Sequence, residues 1–284
     1  MSKKQYGVVG HPIGHTLSPF IHTRLMSLAG IDGEYGVYHI TPEEFGTSFE
    51  KLMNELDGIN ITIPYKQAVM RFLNETDKTA ELYGSVNTIS IKHTSKTDFT
   101  AKGYTTDGIG FSDALKNAGI PIGDNVTVVG CGGVGRVFVN TCLAQGSKHV
   151  NILECRQALD NAKNFAQSIN ERYGSGTASV FETSQFDGES NLLINASPIG
   201  MYPKTEACAV EDNVILKADN VFDAVYNPSE TLLVKKAKDM GKKAITGMTM
   251  LVYQAAAAQT IWNSVTFAPE DIKKLAEDCY KNIE

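Results

Sequence analysis

No two cysteines in this chain have C-x-x-C spacing. The five present, Cys131, Cys142, Cys155, Cys208 and Cys279, are an odd number. That excludes a closed disulfide framework and points to a reducing compartment. No apolar stretch is long enough to span a bilayer. Met1–Gln5 passes at once into a strand-like run without a signal-type apolar segment, so the cytoplasm is the expected location. Positive charge is not in excess: 26 Lys and Arg stand against 32 Asp and Glu, a net charge of −6. Nucleic acid and anionic membrane surfaces are therefore not expected as partners. No G-x-S-x-G elbow occurs, which argues against a hydrolase built on this kind of sheet. Repeats, low-complexity tracts and long linkers are also missing.

What is present is enough chain for two ordinary domains: 284 residues, 42% hydrophobic and 20% charged. Two polar residues stand on short punctuated loops. Lys66 closes Asn60-Ile61-Thr62-Ile63-Pro64-Tyr65-Lys66, and Asp107 lies in Gly103-Tyr104-Thr105-Thr106-Asp107-Gly108. A lone lysine is most often solvated surface. A Lys and an Asp upstream of a glycine loop suggest proton transfer coupled to hydride transfer.

Strand and helix patterns alternate along the chain. Tyr6–Gly10 reads as a strand, followed by a helix opened by Ser18 as cap with Pro19 at its first position and closed near Gly30. A strand over 34–40 leads to a capping box at Thr41-Pro42-Glu43-Glu44, whose helix runs to about Leu56. Gly58–Pro64 reads as a strand and Lys66–Asn74 as a helix. Val86–Ile91 and Phe99–Gly103 form a hairpin around the polar tip Lys92–Asp98. Beyond Gly108, strand patterns recur at Asn125–Val129, His149–Leu153, Ala178–Phe181, Leu192–Asn195, Asn220–Asp223 and Lys243–Thr246. Helices fill most of the gaps, as in a mostly parallel α/β sheet. The C-terminal part reads as two helices, Met250–Trp262 and Pro269–Ile283.

Gly130-Cys131-Gly132-Gly133-Val134-Gly135 fits G-x-G-x-x-G after one strand and at the head of a helix. Such glycines permit a tight turn and close backbone approach to a pyrophosphate at a helix N-terminus. Glu154, at the end of the next strand, is placed to accept from ribose hydroxyls. Four glycines in six residues would cost backbone entropy for no gain in a turn that holds no ligand.

Taken in order, Gly10-His11-Pro12-Ile13-Gly14-His15-Thr16-Leu17-Ser18-Pro19, Asn60–Lys66, Ser85-Val86-Asn87-Thr88, Thr106-Asp107-Gly108, Gly130–Gly133 and Met250-Leu251-Val252-Tyr253-Gln254-Ala255-Ala256 resemble the shikimate dehydrogenases. The resemblance runs from Gly7 to Trp262. It implies reduction of 3-dehydroshikimate to shikimate with NAD or NADP and no metal. The implied fold is α/β: an N-terminal substrate-binding domain (1–107 with 248–284) and a Rossmann domain (108–247), the C-terminal helices returning to the first. Position by position it implies Lys66 and Asp107 as the catalytic pair. Thr16, Ser18 and Tyr226 would stand at the substrate carboxylate, and Asn60, Thr62, Asn87 and Gln254 at the ring hydroxyls. Amide side chains suit hydroxyls because each both donates and accepts. Gly130, Gly132, Gly133, Val134, Gly135, Glu154, Arg156, Asn195, Ser197 and Gly247 would hold the dinucleotide.

Each residue also has a plainer reading. Ser18 serves as a helix cap, Asn60 and Asn87 as turn residues, Gln254 as a solvated helix position, and Tyr226 as part of a strand exit. The ordered set favours function. His11, His15 and His22 lack acidic or Cys company at metal spacing and are expected to be structural. Three positions depart from the family. Thr16 replaces a usual Ser, Thr249 replaces a usual Gly, and Glu154-Cys155-Arg156 replaces the Asn-Arg-Thr of NADP-dependent members. The last change leans the cofactor to NAD, with NADP the family default. Two alternatives stand beside this reading, a quinate/shikimate dehydrogenase and a non-catalytic ligand sensor. Monomer and homodimer are both compatible with the chain.

Overall fold

The computed structural model describes residues 3–14, 16–95 and 98–282. Its contacts divide the chain into two compact units, Met1–Gly110 with Leu251–Cys279, and Phe111–Met250 with Tyr280–Glu284.

The first unit is built on one mixed sheet. The elements are β1 (Lys4–Gly10), α1 (Ser18–Leu28), β2 (Gly33–His39), α2 (Phe45–Glu55), β3 (Gly58–Ile61), β4 (Glu75–Thr76), α3 (Lys78–Tyr83), β5 (Thr88–His93) and β6 (Phe99–Tyr104). Strand order is β2-β1-β3-β5-β6-β4. β1 runs parallel to both neighbours, while β5 is antiparallel to β3 and β6. One core cluster joins Val9, Ile59, Ile61 and Ile89 of the sheet to Phe45, Phe49, Leu52 and Met53 of α2. Those α2 residues recur at helical spacing, so the apolar stripe faces the sheet.

α4 (Asp107–Ala118) leads into the second unit. There follow β7 (Asn125–Val129), α5 (Gly133–Ala144), β8 (His149–Glu154), α6 (Leu159–Tyr173), β9 (Ala178–Glu182), β10 (Ser190–Asn195), α7 (Asp212–Leu216), β11 (Ala218–Asp223), α8 (Leu232–Asp239) and β12 (Lys243–Thr246). All six strands are parallel, in the order β9-β8-β7-β10-β11-β12. The order reverses between β7 and β10, the switch point where doubly wound sheets bind ligands. The continuous apolar runs of β7 and β10 are buried, as parallel strands covered on both faces require.

α9 (Met248–Asn263) and α10 (Pro269–Tyr280) complete the chain, and most of their length belongs to the first unit. The Trp262 indole of α9 stacks on Tyr6 of β1 at 4.6 Å and donates to the Ile89 carbonyl of β5 at 2.9 Å. The Tyr6 hydroxyl donates to Asn263 Oδ1 at 2.8 Å. This is the α/β architecture the sequence implies, including the return of the C-terminal helices.

Several local readings are corrected. Ser18 is the first residue of α1 and caps nothing: Leu17 holds the cap position, and the Ser18 hydroxyl accepts from Thr16. Thr41 Oγ1 does bond Glu44 at 3.1 Å, but within a turn ahead of α2, which starts only at Phe45. The helix expected over Lys66–Asn74 shrinks to a 3-10 segment, Ala68–Phe72. Its missing first turn has a cause: the Lys66 carbonyl is taken by the Val86 amide at 2.8 Å. The third strand ends at Ile61, before the Pro64 turn. β4 and α3 were not anticipated, although Asp77 accepts from the Ala80 amide at 2.8 Å as an N-cap and Gly84, at φ +60°, closes the helix. His15, part of the hairpin tip (Lys96 and Thr97) and Ile283 lie outside the described residues.

Candidate active site

In the first unit the site begins where β3 runs out. A turn from Thr62 to Tyr65 closes with the Tyr65 amide on the Thr62 carbonyl at 3.0 Å. The Tyr65 ring stacks on Phe45 at 3.9 Å, and its hydroxyl donates to the Ile40 carbonyl at 2.6 Å. Lys66 thus leaves a rigid anchor. Its ammonium donates to Asp107 Oδ2 at 2.6 Å. Asp107 opens α4, so its carboxylate sits at a helix N-terminus.

Asp107 Oδ1 accepts from Asn87 Nδ2 at 2.7 Å. Asn87 is 3% exposed, deep enough that every polar atom needs a partner, and each has one. Its Nδ2 also faces Thr106 Oγ1 at 3.0 Å and Gln254 Oε1 at 3.3 Å, and its Oδ1 accepts from the Thr106 amide at 2.8 Å. Asn60, also buried, donates to the Asn87 carbonyl at 3.2 Å and to Thr88 Oγ1 at 3.1 Å, and accepts from the Tyr35 hydroxyl at 2.7 Å. The structure therefore joins Lys66, Asp107, Asn87, Asn60 and Gln254 in one network. Thr16 donates to the Ser18 hydroxyl at 3.1 Å, and its own oxygen accepts from the Ser18 amide at 3.2 Å. Thr62 stands half-buried over Gly10, where a Cβ would strike its methyl.

Three members were missed from sequence, one of them Thr88, which bonds both Asn60 and Asn87. Thr106, fully buried, bridges Asn87 and Gln254. Its adjacency to Asp107 was the available signal. Tyr35 holds Asn60 through its hydroxyl, and nothing in the β2 sequence marks it. Behind it His22 is buried and stacks on the Tyr35 ring at 4.2 Å. Burial lowers the pKa of the His22 imidazole to about 3, so it is neutral, and its Nδ1 meets Gln259. His11 pairs with His39 at 2.7 Å. Among the described residues, no group of three or more His, Cys, Asp or Glu could hold a metal ion.

In the second unit the site is largely backbone. Gly130, at φ +94°, turns the chain off β7 in a conformation that side chains resist. A Cβ on Gly132 or Gly133 would meet nothing within 4 Å, so the loop presents an open face. A Cβ on Gly135 would drive into the Gly130 carbonyl oxygen. The glycines thus divide into turn, open approach and close packing, the set a dinucleotide pyrophosphate requires. Val134 lies in the first turn of α5.

Glu154 ends β8 with both oxygens engaged. One accepts from the Cys131 amide at 2.8 Å, the other from the Cys155 amide at 2.9 Å. Arg156 is exposed and pairs with Glu182 at 3.3 Å. A groove of about 740 Å³ is lined here by Gly130, Glu154, Cys155, Arg156, Glu182 and Ser197. Burial pushes the Cys131 thiol up to about 11, so it is an inert packing group. At the end of β10, Asn195 Oδ1 accepts from the Ser197 amide at 3.0 Å and hydroxyl at 2.7 Å. Gly247 is buried after β12, where a Cβ would meet the Ala224 carbonyl oxygen. Tyr226 is half-buried beyond β11, and burial raises its phenol above the usual range. The donor-rich loop, its open face and the adjoining groove fit a nicotinamide dinucleotide.

Comparisons with known proteins show similarity to shikimate dehydrogenases over most of the chain. Residues 8–89 match the family model described as the shikimate dehydrogenase substrate binding domain. A shikimate dehydrogenase (NADP(+)) of Caldanaerobacter subterraneus subsp. tengcongensis is 34% identical, with 93% of each chain covered. One of Methanocaldococcus jannaschii is 35% identical over 92% of each. Shikimate 5-dehydrogenase from Listeria monocytogenes, solved in complex with shikimate and NAD, superposes with a TM-score of 0.86 at 27% identity, covering 96% of both chains.

Proposed function

This chain belongs to the shikimate dehydrogenase family, and we propose that it reversibly reduces 3-dehydroshikimate to shikimate on the route to the aromatic amino acids. The carrying observation is the Lys66–Asp107 pair at 2.6 Å, bound into the Asn87, Gln254 and Asn60 network. When bound, a nicotinamide dinucleotide supplies the hydride. Lys66 gives a proton to the alkoxide forming at the substrate C3 oxygen and takes it back in the reverse direction. Its ammonium also offsets the negative charge developing there. Asp107 orients Lys66, and Asn87 in turn fixes Asp107. Asn60, Thr62, Asn87 and Gln254 address the ring hydroxyls, and Thr16, Ser18 and Tyr226 the carboxylate. Five unpaired cysteines accord with a reducing cytoplasm.

Shikimate is the preferred substrate over quinate in this reading, because the hydroxyl-binding amides are all present. Thr16 adds a methyl near the carbon where quinate bears a further hydroxyl. A site that merely tolerates an added hydroxyl discriminates by only about 10²-fold, so a quinate side activity is expected. A pure sensor would not need the Lys66–Asp107 pair.

On the cofactor, names and residues pull apart. The two curated relatives are called NADP(+) enzymes, whereas the Listeria protein was solved with NAD. Glu154 supports NAD: its carboxylate is fixed at the strand end by two backbone amides, where it would accept from a ribose hydroxyl and repel a 2′-phosphate. Glu182 adds a second carboxylate beside the groove. Arg156 supports NADP, since release from Glu182 would free its guanidinium for a phosphate. We favour NAD on the fixed Glu154.

The test crosses shikimate and quinate with NAD and NADP, in wild type and Glu154→Asn. The expected result is turnover with shikimate above quinate and NAD above NADP, with the cofactor preference moving toward NADP in the variant. Absence of turnover with every pair would reject the enzyme reading. Quinate equal to shikimate would favour the broader dehydrogenase, and an unmoved cofactor preference would acquit Glu154.

A further inference from the structure

Asp223 ends β11 and is completely buried. Its three partners are all uncharged. Oδ1 accepts from Asn195 Nδ2 at 2.9 Å and from the Val225 amide at 3.0 Å, and Oδ2 accepts from the Thr231 hydroxyl at 2.7 Å. They lead to two stretches at the same end of the sheet, one after β10 and one after β11. Asn195 organises the loop after β10: its Nδ2 also reaches the Ile199 carbonyl at 3.1 Å, and its Oδ1 holds Ser197. Val225 and Thr231 lie near the two ends of the segment that carries Tyr226, and Thr231 caps α8 through the Val234 amide at 3.3 Å. The Val225 carbonyl then accepts from the Gly247 amide at 3.1 Å, fixing the exit of β12. The Asn227 carbonyl accepts from the Tyr202 amide at 3.0 Å, closing the two loops on each other.

We propose that Asp223 is a positioning residue whose single carboxylate sets the loops after β10, β11 and β12, and with them Ser197, Tyr226 and Gly247. The assignment of those residues to ligands rests on the function proposed above; the mechanical claim does not. A buried carboxylate without a cation is costly unless its hydrogen bonds are complete. Here both oxygens are satisfied, by donors from the end of β10 and from the two ends of the segment after β11. A hydrophobic residue of similar volume would fill the space, yet leave the Asn195 amide, the Val225 amide and the Thr231 hydroxyl short of an acceptor. Burial raises the pKa to about 6, so at neutral pH the group is an anion accepting from all three.

Amide hydrogen exchange on the ligand-free chain tests the mechanical claim. Asp223→Asn keeps the shape but loses the anion. Thr231→Val removes one donor and leaves the carboxylate in place, and Thr231→Ser keeps that donor. Residues 195–199, 224–231 and 247 should exchange together about tenfold faster in Asp223→Asn, less so in Thr231→Val, and near the wild-type rate in Thr231→Ser. The β7 and β8 amides should be unmoved. Calorimetry then reads the consequence: weaker dinucleotide binding in Asp223→Asn and Thr231→Val, with an unfolding midpoint close to wild type. Wild-type exchange at the three loops in both variants would overturn the proposal, as would acceleration spread evenly over the sheet. Coupled loops in a chain that binds neither shikimate nor dinucleotide would instead sink the functional reading and leave the positioning role standing.

Discussion

The two units make their sites from opposite materials. In the first, side chains do the work. Lys66, Asp107, Asn87, Asn60 and Gln254 form one hydrogen-bonded set in which each member fixes the next. In the second, the centre is backbone: a loop whose glycines turn at Gly130, lie open at Gly132 and Gly133, and pack closely at Gly135. A side-chain site fails by losing a chemical group. A backbone site fails by gaining atoms. The proposed proton-handling and dinucleotide-holding residues should therefore be separable by mutation.

The largest separation is expected from Lys66→Ala. It should lower kcat by roughly 10²–10⁴-fold, the usual contribution of a positioned acid or base, with a smaller change in shikimate affinity. Turnover like wild type in that variant would remove Lys66 from the chemistry.

Next in size is a contrast in pH dependence between the buried titratable groups behind the two sites. Burial raises Asp223 from 3.8 to about 6, so the folded chain holds that proton longer than the unfolded chain does. Its contribution to stability is complete below about pH 4 and is lost as pH rises toward 6, a change of about 3 kcal/mol. Burial lowers His22 from 6.5 to about 3, so the folded chain resists that proton. Its contribution is complete above about pH 6.5 and is lost as pH falls toward 3. Urea unfolding of wild type, Asp223→Asn and His22→Gln from pH 4 to 7 measures both. The difference between wild type and variant should fall with rising pH for Asp223 and rise for His22. Slopes of one sign would break the contrast.

A smaller effect is expected from Gly135→Ala. The added Cβ meets the Gly130 carbonyl, and overpacking of this kind costs about 1–3 kcal/mol. Calorimetry should show weaker dinucleotide binding with shikimate binding preserved. Equal losses for both ligands would mean that the units are not separable in this way.

The same contrast explains what could be read from the chain. Period and punctuation carry far in the second unit. The apolar run Val126–Val129, the glycines that follow and the recurring strands are local signals, and the parallel sheet appears where they place it. The first unit is legible at Lys66, Asp107, Asn87 and Gln254 chiefly through family resemblance, since their bonds span up to 167 positions of sequence. Thr106, Thr88 and Tyr35 entered the network unseen for that reason: a lone hydroxyl has no pattern until its partner is known. The misplaced helix starts have the same origin. Lys66 fails to open a helix because a distant amide, Val86, claims its carbonyl. Ser18 leaves the cap position because its hydroxyl and its amide are both engaged with Thr16.

The most direct test of the division of labour is the dissociation constant of the oxidised dinucleotide, measured by calorimetry on wild type and on Lys66→Ala. The account predicts values equal within about twofold while turnover collapses, because Lys66 contributes to the chemistry and not to dinucleotide binding. A loss of dinucleotide affinity as large as the loss of turnover would contradict it.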